Sequence, residues 1–241
     1  MNPESHNDLQ IWKAIWQVRH PPAALLLDRR GDIANRWQHK KPGLTEWAIN
    51  ANSVRVHDRA NTTLLQSELT AATVVVESQE RQDIFRDLAT EFVIDVLDTL
   101  NIRRIERTGL RLIFLAERPN FKALCRKIQQ RLFSLGEGDW EVFGAQPEDV
   151  GFPLVFRFGE RWLNWNFGPM HKGQIEATFD SNEVKGQLPE LAVFLDCDLF
   201  ELAPKIYPKE FRKELSRGID SGIEQILAIT DSFMGKYGGF K

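Results

Sequence analysis

Two aspartates, Asp196 and Asp198, lie two residues apart on either side of Cys197 in the C-terminal quarter of the chain. If this segment is a β-strand, the spacing puts both carboxylates on one face. Hard cations such as magnesium bind carboxylate pairs, so one hypothesis is a metal-dependent hydrolase built on these two residues. Apolar residues at alternate positions from 193 to 199 make the other face the core side. We therefore favour the interpretation in which the pair faces solvent.

A basic segment spans residues 103–131 and holds nine basic and two acidic side chains. The basic residues are Arg103, Arg104, Arg107, Arg111, Arg118, Lys122, Arg126, Lys127 and Arg131. In a helix over 119–135, Lys122, Arg126 and Lys127 lie off the apolar stripe and face water. Such a surface would attract nucleic-acid phosphates. The competing interpretation, which we favour, is a solvated helix face whose charges pair with acidic segments.

Arg111 is a separate case because apolar residues flank it on a predicted strand. A partly buried guanidinium requires a carboxylate or several carbonyl groups. One interpretation is an anion-binding residue in a concave sheet. The other, which we favour, is an internal ion pair with Glu77 or Asp95.

Two further groups have residue types suited to binding or catalysis. Trp162 and Asn164, with Asn166, share one face of a predicted strand and would suit stacking on a base or contact with a protein; a strand buried on both faces is the alternative. His57-Asp58 has the residue types of a general base, but it falls at a predicted turn with no identifiable nucleophile.

The remaining chemistry-bearing residues form no recognisable site. The five histidines (His6, His20, His39, His57 and His171) lack metal-ligand spacing, and Cys125 and Cys197 are the only cysteines. Phosphate-binding, dinucleotide-binding and nucleophile-elbow glycine motifs are absent from the sequence. We predict no catalytic residue, no metal site and no cofactor.

The composition is that of a soluble globular protein, with 42% hydrophobic and 27% charged residues in a chain of 241. The formal charge of −3 does not mark a nucleic-acid or membrane protein. No apolar run approaches the roughly 20 residues that span a bilayer. With few cysteines and a polar N-terminus, we expect a reducing, cytoplasmic location and no membrane partner.

Hydrophobic periodicity predicts the elements of the N-terminal half. Ile11–Arg19 alternates as a strand with Trp12, Ala14, Trp16 and Val18 on one face, although a helix also fits. Residues 23–39 suggest a helix interrupted near Gly31. Three antiparallel strands follow, over 47–57, 62–69 and 73–77, and then a long helix capped by Ser78 with Glu80 and Asp83 in its first turn.

The C-terminal half begins with a predicted strand over 105–116, whose Leu110, Leu112, Phe114 and Ala116 share one face. Pro119 begins a helix that Gly136 ends. Strands are predicted over 152–158, 161–167, 174–180 and 191–199. A last helix begins at Pro208 and ends at Gly235 and Gly238-Gly239. In it, Gly218 and Gly222 either let the helix lie close to the sheet or bend it.

The expected fold is α+β: a curled antiparallel sheet with long helices packed on one face. The order strand, helix, meander, long helix occurs twice, which predicts two pseudo-repeats, residues 1–101 and 102–241, in one compact unit. Residue identity between the two halves is negligible, so this duplication is inferred from the pattern alone.

The run from Arg104 to Ile113 resembles the signature of a sporadically distributed family of uncharacterised bacterial proteins, which carry an Arg-x-Gly-Leu-Arg-Tyr strand after a long helix. The opening strand of that family is similar to Ile15–Arg19 here. Leu112 stands where the family usually has an aromatic residue. The resemblance implies no activity, and the family's patchy distribution implies mobile or defence-related genes.

The leading functional hypothesis is a non-catalytic binding or regulatory protein that acts through a protein partner, because aromatic residues are abundant and catalytic motifs are lacking. The first alternative is a nucleic-acid or phosphate-ligand binder that uses the basic segment. The second is the hydrolase on Asp196 and Asp198. The candidate binding residues are Arg104, Arg107, Arg111, Lys122, Arg126, Lys127, Trp162 and Asn164.

Overall fold

A computed structural model describes residues 9–79, 82–132 and 148–237. These residues form nine strands and six α-helices. The strands are β1 (Gln10–Arg19), β2 (Glu46–Ile49), β3 (Ser53–His57), β4 (Thr63–Glu68), β5 (Ala71–Glu77), β6 (Arg107–Glu117), β7 (Phe152–Phe158), β8 (Arg161–His171) and β9 (Leu191–Leu202). The helices are α1 (Leu26–Lys40), α2 (Gln82–Thr99), α3 (Phe121–Leu132), α4 (Lys172–Glu176), α5 (Asn182–Gln187) and α6 (Phe211–Tyr237).

The strands form one open antiparallel sheet in the order β2-β3-β4-β5-β1-β6-β9-β8-β7. β1 and β6 pair at its centre, so the two halves of the chain contribute opposite wings of the same sheet. β2 and β7 are its edges. The predicted α+β class with a large antiparallel sheet is confirmed.

Four long helices cover one side of the sheet, the helical face. Leu110, Leu112 and Phe114 of β6 are buried on this side, as predicted, in the main hydrophobic core. Each helix adds a buried apolar stripe: Ile33 and Trp37 from α1, Phe85 and Phe92 from α2, Leu124 and Ile128 from α3, Leu215 and Ile226 from α6. Burial of these stripes is what holds the helices on the sheet.

The other side of the sheet, the opposite face, carries a smaller apolar cluster under the short helices α4 and α5. Ile113 and Leu115 of β6 pack there with Ile175, Phe179 and Val184. Trp12 also packs on this cluster, so its predicted place beside Ala14 and Trp16 is wrong. The register between β1 and β6 shifts between Ile11 and Lys13. A bulge of this kind reverses the alternation of side chains.

Two predictions for the N-terminal half need correction. The strand predicted over 47–57 is a hairpin of β2 and β3, because the chain turns at residues 50–52 and Ile49 pairs with Val54. The helix predicted over 23–39 is present as α1 but runs through Gly31 without interruption. One glycine costs a helix roughly 1 kcal/mol relative to alanine, less than burial of Ile33 and Trp37 contributes.

The strand predicted over 174–180 is also wrong, since α4 and a following turn occupy these residues. Ile175, Ala177 and Phe179 alternate as in a strand, but residues four apart also share a helix face. The helix forms here because the Gln174 side chain accepts a 2.9 Å hydrogen bond from the His171 backbone N–H at the helix start. Ile175 and Phe179 then reach the same apolar cluster.

The last helix, α6, lies close to the sheet at its glycines, which is the first of the two interpretations of Gly218 and Gly222. A Cβ atom on Gly222 would be 2.9 Å from Leu110 Cδ2.

Pro208 begins a 3₁₀ turn that leads into α6, and α6 continues past Gly235 to Tyr237. Gly238 and Gly239, like Glu80, Leu135 and Gly136, lie outside the described residues. No helix in the described ranges is long and apolar enough to cross a bilayer.

Candidate functional site

Four charged residues lie together at the centre of the opposite face, on the neighbouring strands β6 and β9. We call Arg107, Arg111, Asp196 and Asp198 the arginine–aspartate cluster. In the register of these strands, Arg111 stands beside Asp198 and Ile113 beside Asp196. Each arginine reaches diagonally, Arg107 to Asp198 and Arg111 to Asp196. The resulting ion pairs connect β6 to β9 within the C-terminal half of the sheet.

Arg111 forms a bidentate ion pair with Asp196. Its Nε and Nη2 atoms each donate a 2.7 Å hydrogen bond to a different carboxylate oxygen. The Asp196 side chain is 9% exposed and that of Arg111 is 43% exposed. Hydrogen bonding to Asp196 raises the pKa of the Arg111 guanidinium, although partial burial opposes the shift. The predicted internal ion pair is present, but its partner is neither Glu77 nor Asp95.

Arg107 lies flat over the backbone of its own strand. Its Nη2 donates hydrogen bonds of 3.1 and 3.2 Å to Asp198, and its guanidinium carbon is 4.6 Å from the centre of the Phe200 ring. A Cβ atom on Gly109 would be 2.9 Å from Arg107 Nη1. Glycine at this position therefore leaves space for the guanidinium, which explains the Arg-x-Gly-Leu-Arg spacing physically.

Polar side chains extend the cluster across neighbouring strands. Gln17 of β1 accepts a 2.8 Å hydrogen bond from Arg19 and donates one of 3.2 Å to Thr73 of β5. On the other side, Asn164 of β8 donates a 3.4 Å hydrogen bond to Asp198. Gln17, Arg19 and Thr73 line a shallow cavity of about 360 Å³ together with Arg107, Arg111 and Asp198 of the cluster, and Lys13 and Asp180 line it as well.

The cluster has the chemistry of a neutralised network. Each of its two carboxylates accepts two hydrogen bonds from an arginine: Asp198 from Arg107 and Asp196 from Arg111. The described residues contain no group of three or more histidine, cysteine or acidic side chains placed to hold a metal ion. Cys197 faces the main core, where burial raises the pKa of its thiol and disfavours the reactive thiolate.

We expect Gly109→Ala to lower the free energy of unfolding by less than about 1 kcal/mol, because the added methyl group displaces the flexible end of Arg107 from Asp198 while alanine partly offsets this loss by favouring the strand backbone. Urea denaturation followed by circular dichroism measures the change. Gly31→Ala is the matched control: a Cβ there meets no atom within 4 Å. It should stabilise helix α1 by roughly 1 kcal/mol. Equal effects of the two substitutions would contradict the packing role of Gly109.

The fold divides the candidate binding residues between two sides of the sheet. Arg107, Arg111, Trp162 and Asn164 lie on the opposite face. Lys122, Arg126 and Lys127 belong to α3, which packs on the helical face; Lys122 and Arg126 are exposed and Lys127 is half-buried. Arg104 precedes β6, is exposed and pairs with Glu106 at 2.9 Å. The basic segment is therefore not one continuous surface.

Two other predicted groups take structural positions. Trp162 is half-buried, with the Arg157 guanidinium carbon 5.2 Å from its ring centre. Asp58 accepts hydrogen bonds from the backbone and the hydroxyl group of Thr62 at 2.7 and 2.5 Å, which stabilise the predicted turn. His57 contacts the backbone carbonyl of Asp58, not its carboxylate, so these residues lack the geometry of a catalytic pair.

A buried ion pair on the opposite face was missed in the sequence. Lys13 Nζ lies 2.6 Å from Glu77 Oε1, and the two side chains are 8% and 1% exposed. Lys13 also donates to the Thr178 carbonyl oxygen at 2.7 Å, and Glu77 accepts from the backbone N–H groups of Asp180 and Ser181. The sequence feature that could have revealed this pair is Lys13, the one charged residue between Ile11 and Trp16.

The exposed edge at β7 was also missed, although the strand itself was predicted correctly. Among the strands that the structure describes, β7 pairs only with β8, and every residue from Pro153 to Phe158 is exposed. Four of them are large and apolar: Leu154 (43% exposed), Val155 (65%), Phe156 (37%) and Phe158 (40%). The sequence feature that could have revealed this exposed edge is a continuous apolar run between two turns, but such a run is equally typical of a buried strand.

No model of a known protein family matches the chain, and no curated protein matches it either.

Proposed function

We propose that the protein is a non-catalytic binding or regulatory protein and that the β7 edge is its surface for a protein partner. The observation that carries this proposal is the exposure of four large apolar side chains on a strand that ends the sheet. Soluble proteins seldom expose such side chains contiguously outside binding surfaces. An extended segment of the partner would add to the sheet as a further strand.

The backbone of β7 supports strand addition. The turn at Gly159-Glu160 has a positive φ of 62° at Gly159, the sign required at the first position of a type II′ turn. Such a turn makes Phe158 and Arg161 a hydrogen-bonded pair, so alternate residues from Phe158 back to Phe152 bond to β8. Pro153, Val155 and Arg157 then direct their backbone groups away from the sheet, towards a partner.

The other sheet edge is less suited to this role. β2 has four residues, begins with the exposed Glu46, and contacts helix α1. Short strands, edge charges and helix cover are the devices by which proteins block pairing at a sheet edge. β7 has seven residues, with one charge, Arg157, and one proline, Pro153, which lies near its start. Strand addition is therefore favoured at β7.

Substitution of Val155 tests this function. Val155→Pro removes an N–H that points away from β8, so the fold is preserved while strand addition is blocked. Val155→Thr is the matched control, because it changes the side chain and keeps the N–H. Tagged wild-type and Val155→Thr proteins purified from the native host should retain a stoichiometric partner, and Val155→Pro should lose it.

Hydrogen exchange on the purified complex locates the contact. The amides of Val155 and Arg157 should exchange rapidly in the free chain and become protected in the complex. A complex that leaves both amides unprotected, or that forms equally with Val155→Pro, would contradict the proposal. A partner whose binding protects other amides would place the interface elsewhere.

The nucleic-acid or phosphate-binding alternative is supported by the exposure of Lys122 and Arg126 on α3. In this case Lys122→Glu with Arg126→Glu abolishes binding of short RNA and DNA duplexes, and binding by the wild-type chain weakens steeply with salt. Unchanged binding by the double variant would remove this alternative. The hydrolase alternative is not favoured, because Asp196 and Asp198 are each bound by an arginine.

We also infer that the two halves of the chain are related by duplication. β1, α1, the β2–β5 strands and α2 correspond in order to β6, α3, the β7–β9 strands and α6. The two sets extend in opposite directions from the central β1–β6 pair. The family resemblance also implies that the gene lies in a mobile or defence-related cluster. Identification of its neighbouring genes tests this proposal.

A further inference from the structure

We propose that the partner at the β7 edge is a second copy of this chain, and that the two β7 strands pair antiparallel about a two-fold axis at Val155. This inference rests on the proposed function, because it names the occupant of the same edge. A two-fold interface requires a surface that is complementary to itself. The pattern of side chains and backbone groups along β7 meets this requirement.

Centred on Val155, the pairing overlaps all seven residues of β7. Val155 stands opposite the partner's Val155 and exchanges two backbone hydrogen bonds with it. Arg157 stands opposite the partner's Pro153 and donates its backbone N–H to the carbonyl oxygen of that proline. Proline has no N–H to return. Symmetry doubles this single bond, so the pairing contains four backbone hydrogen bonds in total.

The neighbouring registers are less favourable. A centre at Leu154 overlaps only residues 152–156 and pairs both prolines with Val155, which leaves two backbone hydrogen bonds. A centre at Phe156 keeps four bonds, but it brings the two Arg157 residues to about 7 Å along the strands. With Val155 at the centre they are about 14 Å apart along the strands, beyond the screening length of roughly 8 Å at physiological salt.

The side chains also match in the Val155 register. Leu154 stands opposite the partner's Phe156, and Phe152 opposite the partner's Phe158. All of these side chains lie on the helical face, because their pairing partners on β8 include the core residues Trp165 and Phe167. Apolar cross-strand pairs of this kind stabilise antiparallel sheets. The interface therefore covers the exposed apolar side chains of β7 in both copies.

Cysteine cross-linking reads the register directly. Residues 154 and 156 of the two copies form non-hydrogen-bonded pairs, whose Cβ atoms are about 4.5 Å apart and suit a disulfide. Leu154→Cys and Phe156→Cys proteins should cross-link under mild oxidation when mixed and should not cross-link alone. The native Cys125 and Cys197 are buried and serve as an inert background.

Other cross-linking patterns would overturn the proposed register. Cross-linking of Phe156→Cys with itself places the axis at Phe156, and cross-linking of Leu154→Cys with itself places it at Leu154. Absence of any cross-link, with a monomer in sedimentation equilibrium, would overturn the second copy as the occupant. Leu154 and Phe156 are 43% and 37% exposed, so neither substitution replaces a buried residue of the core.

Sedimentation equilibrium of the Val155 variants completes the test. Wild-type and Val155→Thr chains should be dimers, whereas Val155→Pro loses two hydrogen bonds and should raise the dimer dissociation constant about thirtyfold. A monomeric wild-type chain whose host partner still depends on the Val155 N–H would refute the dimer and leave the proposed function intact. If Val155→Pro and Val155→Thr behave alike in both assays, both proposals fail.

Discussion

Glu77→Gln should lower the free energy of unfolding by about 3–5 kcal/mol, the range measured when one partner of a buried ion pair is removed. Lys13 and Glu77 stand opposite each other on β1 and β5 and are almost wholly excluded from water. Glutamine keeps the size of the side chain but leaves the Lys13 ammonium without its closest counter-charge. Urea denaturation measures the loss.

Two controls separate the ion pair from general effects of this substitution. Glu106→Gln makes the same change in an exposed pair with Arg104 and should cost less than about 1 kcal/mol. The double variant Lys13→Met with Glu77→Gln removes both charges, keeps an acceptor for the backbone N–H groups of Asp180 and Ser181, and should recover much of the loss. If Glu77→Gln costs no more than Glu106→Gln, the buried ion pair does not stabilise the contact between residues 178–181 and the sheet.

Trp37→Ala should cost about 3–5 kcal/mol, because it removes a fully buried aromatic side chain from the contact between α1 and α2. The Trp37 ring packs edge-on against Phe92 with 5.2 Å between ring centres. Its indole N–H donates a 2.8 Å hydrogen bond to Asp95. Thermal and urea denaturation of the variant measure the loss.

Trp37→Phe separates the two contributions of this side chain. It keeps an aromatic ring against Phe92 and removes the hydrogen bond to a charged acceptor, which contributes about 1.5–3 kcal/mol. Asp95 retains its ion pair with Arg36, so the carboxylate is not left without a partner. Equal losses for alanine and phenylalanine would show that the hydrogen bond, and not the packing, holds α1 on α2.

Hydrophobic periodicity in the sequence was sufficient for most of the elements. The burial of Leu110, Leu112 and Phe114 and the apolar stripe of α2 are local properties of spacing and side-chain size. The errors occurred where two local interpretations were equally good. Ile175 and Phe179 fit both periods, and the turn between β2 and β3 interrupts neither the apolar nor the polar pattern.

The candidate sites depended on information that no local pattern contains. Glu77 and Asp95 were the expected partners of Arg111, but the partner is Asp196, because β6 lies beside β9 in the sheet. The basic segment is contiguous in sequence, yet its strand and its helix lie on different sides of the sheet.

Local sequence patterns are sufficient for the α+β class, the positions of most strands and helices, and the face of β6 that enters the core. The order of strands in the folded chain sets which charges neutralise each other and places β7 at an edge. Periodicity reports which side of an element meets apolar surroundings, whereas strand order sets which elements become neighbours. Ion pairing and edge exposure both follow from that order.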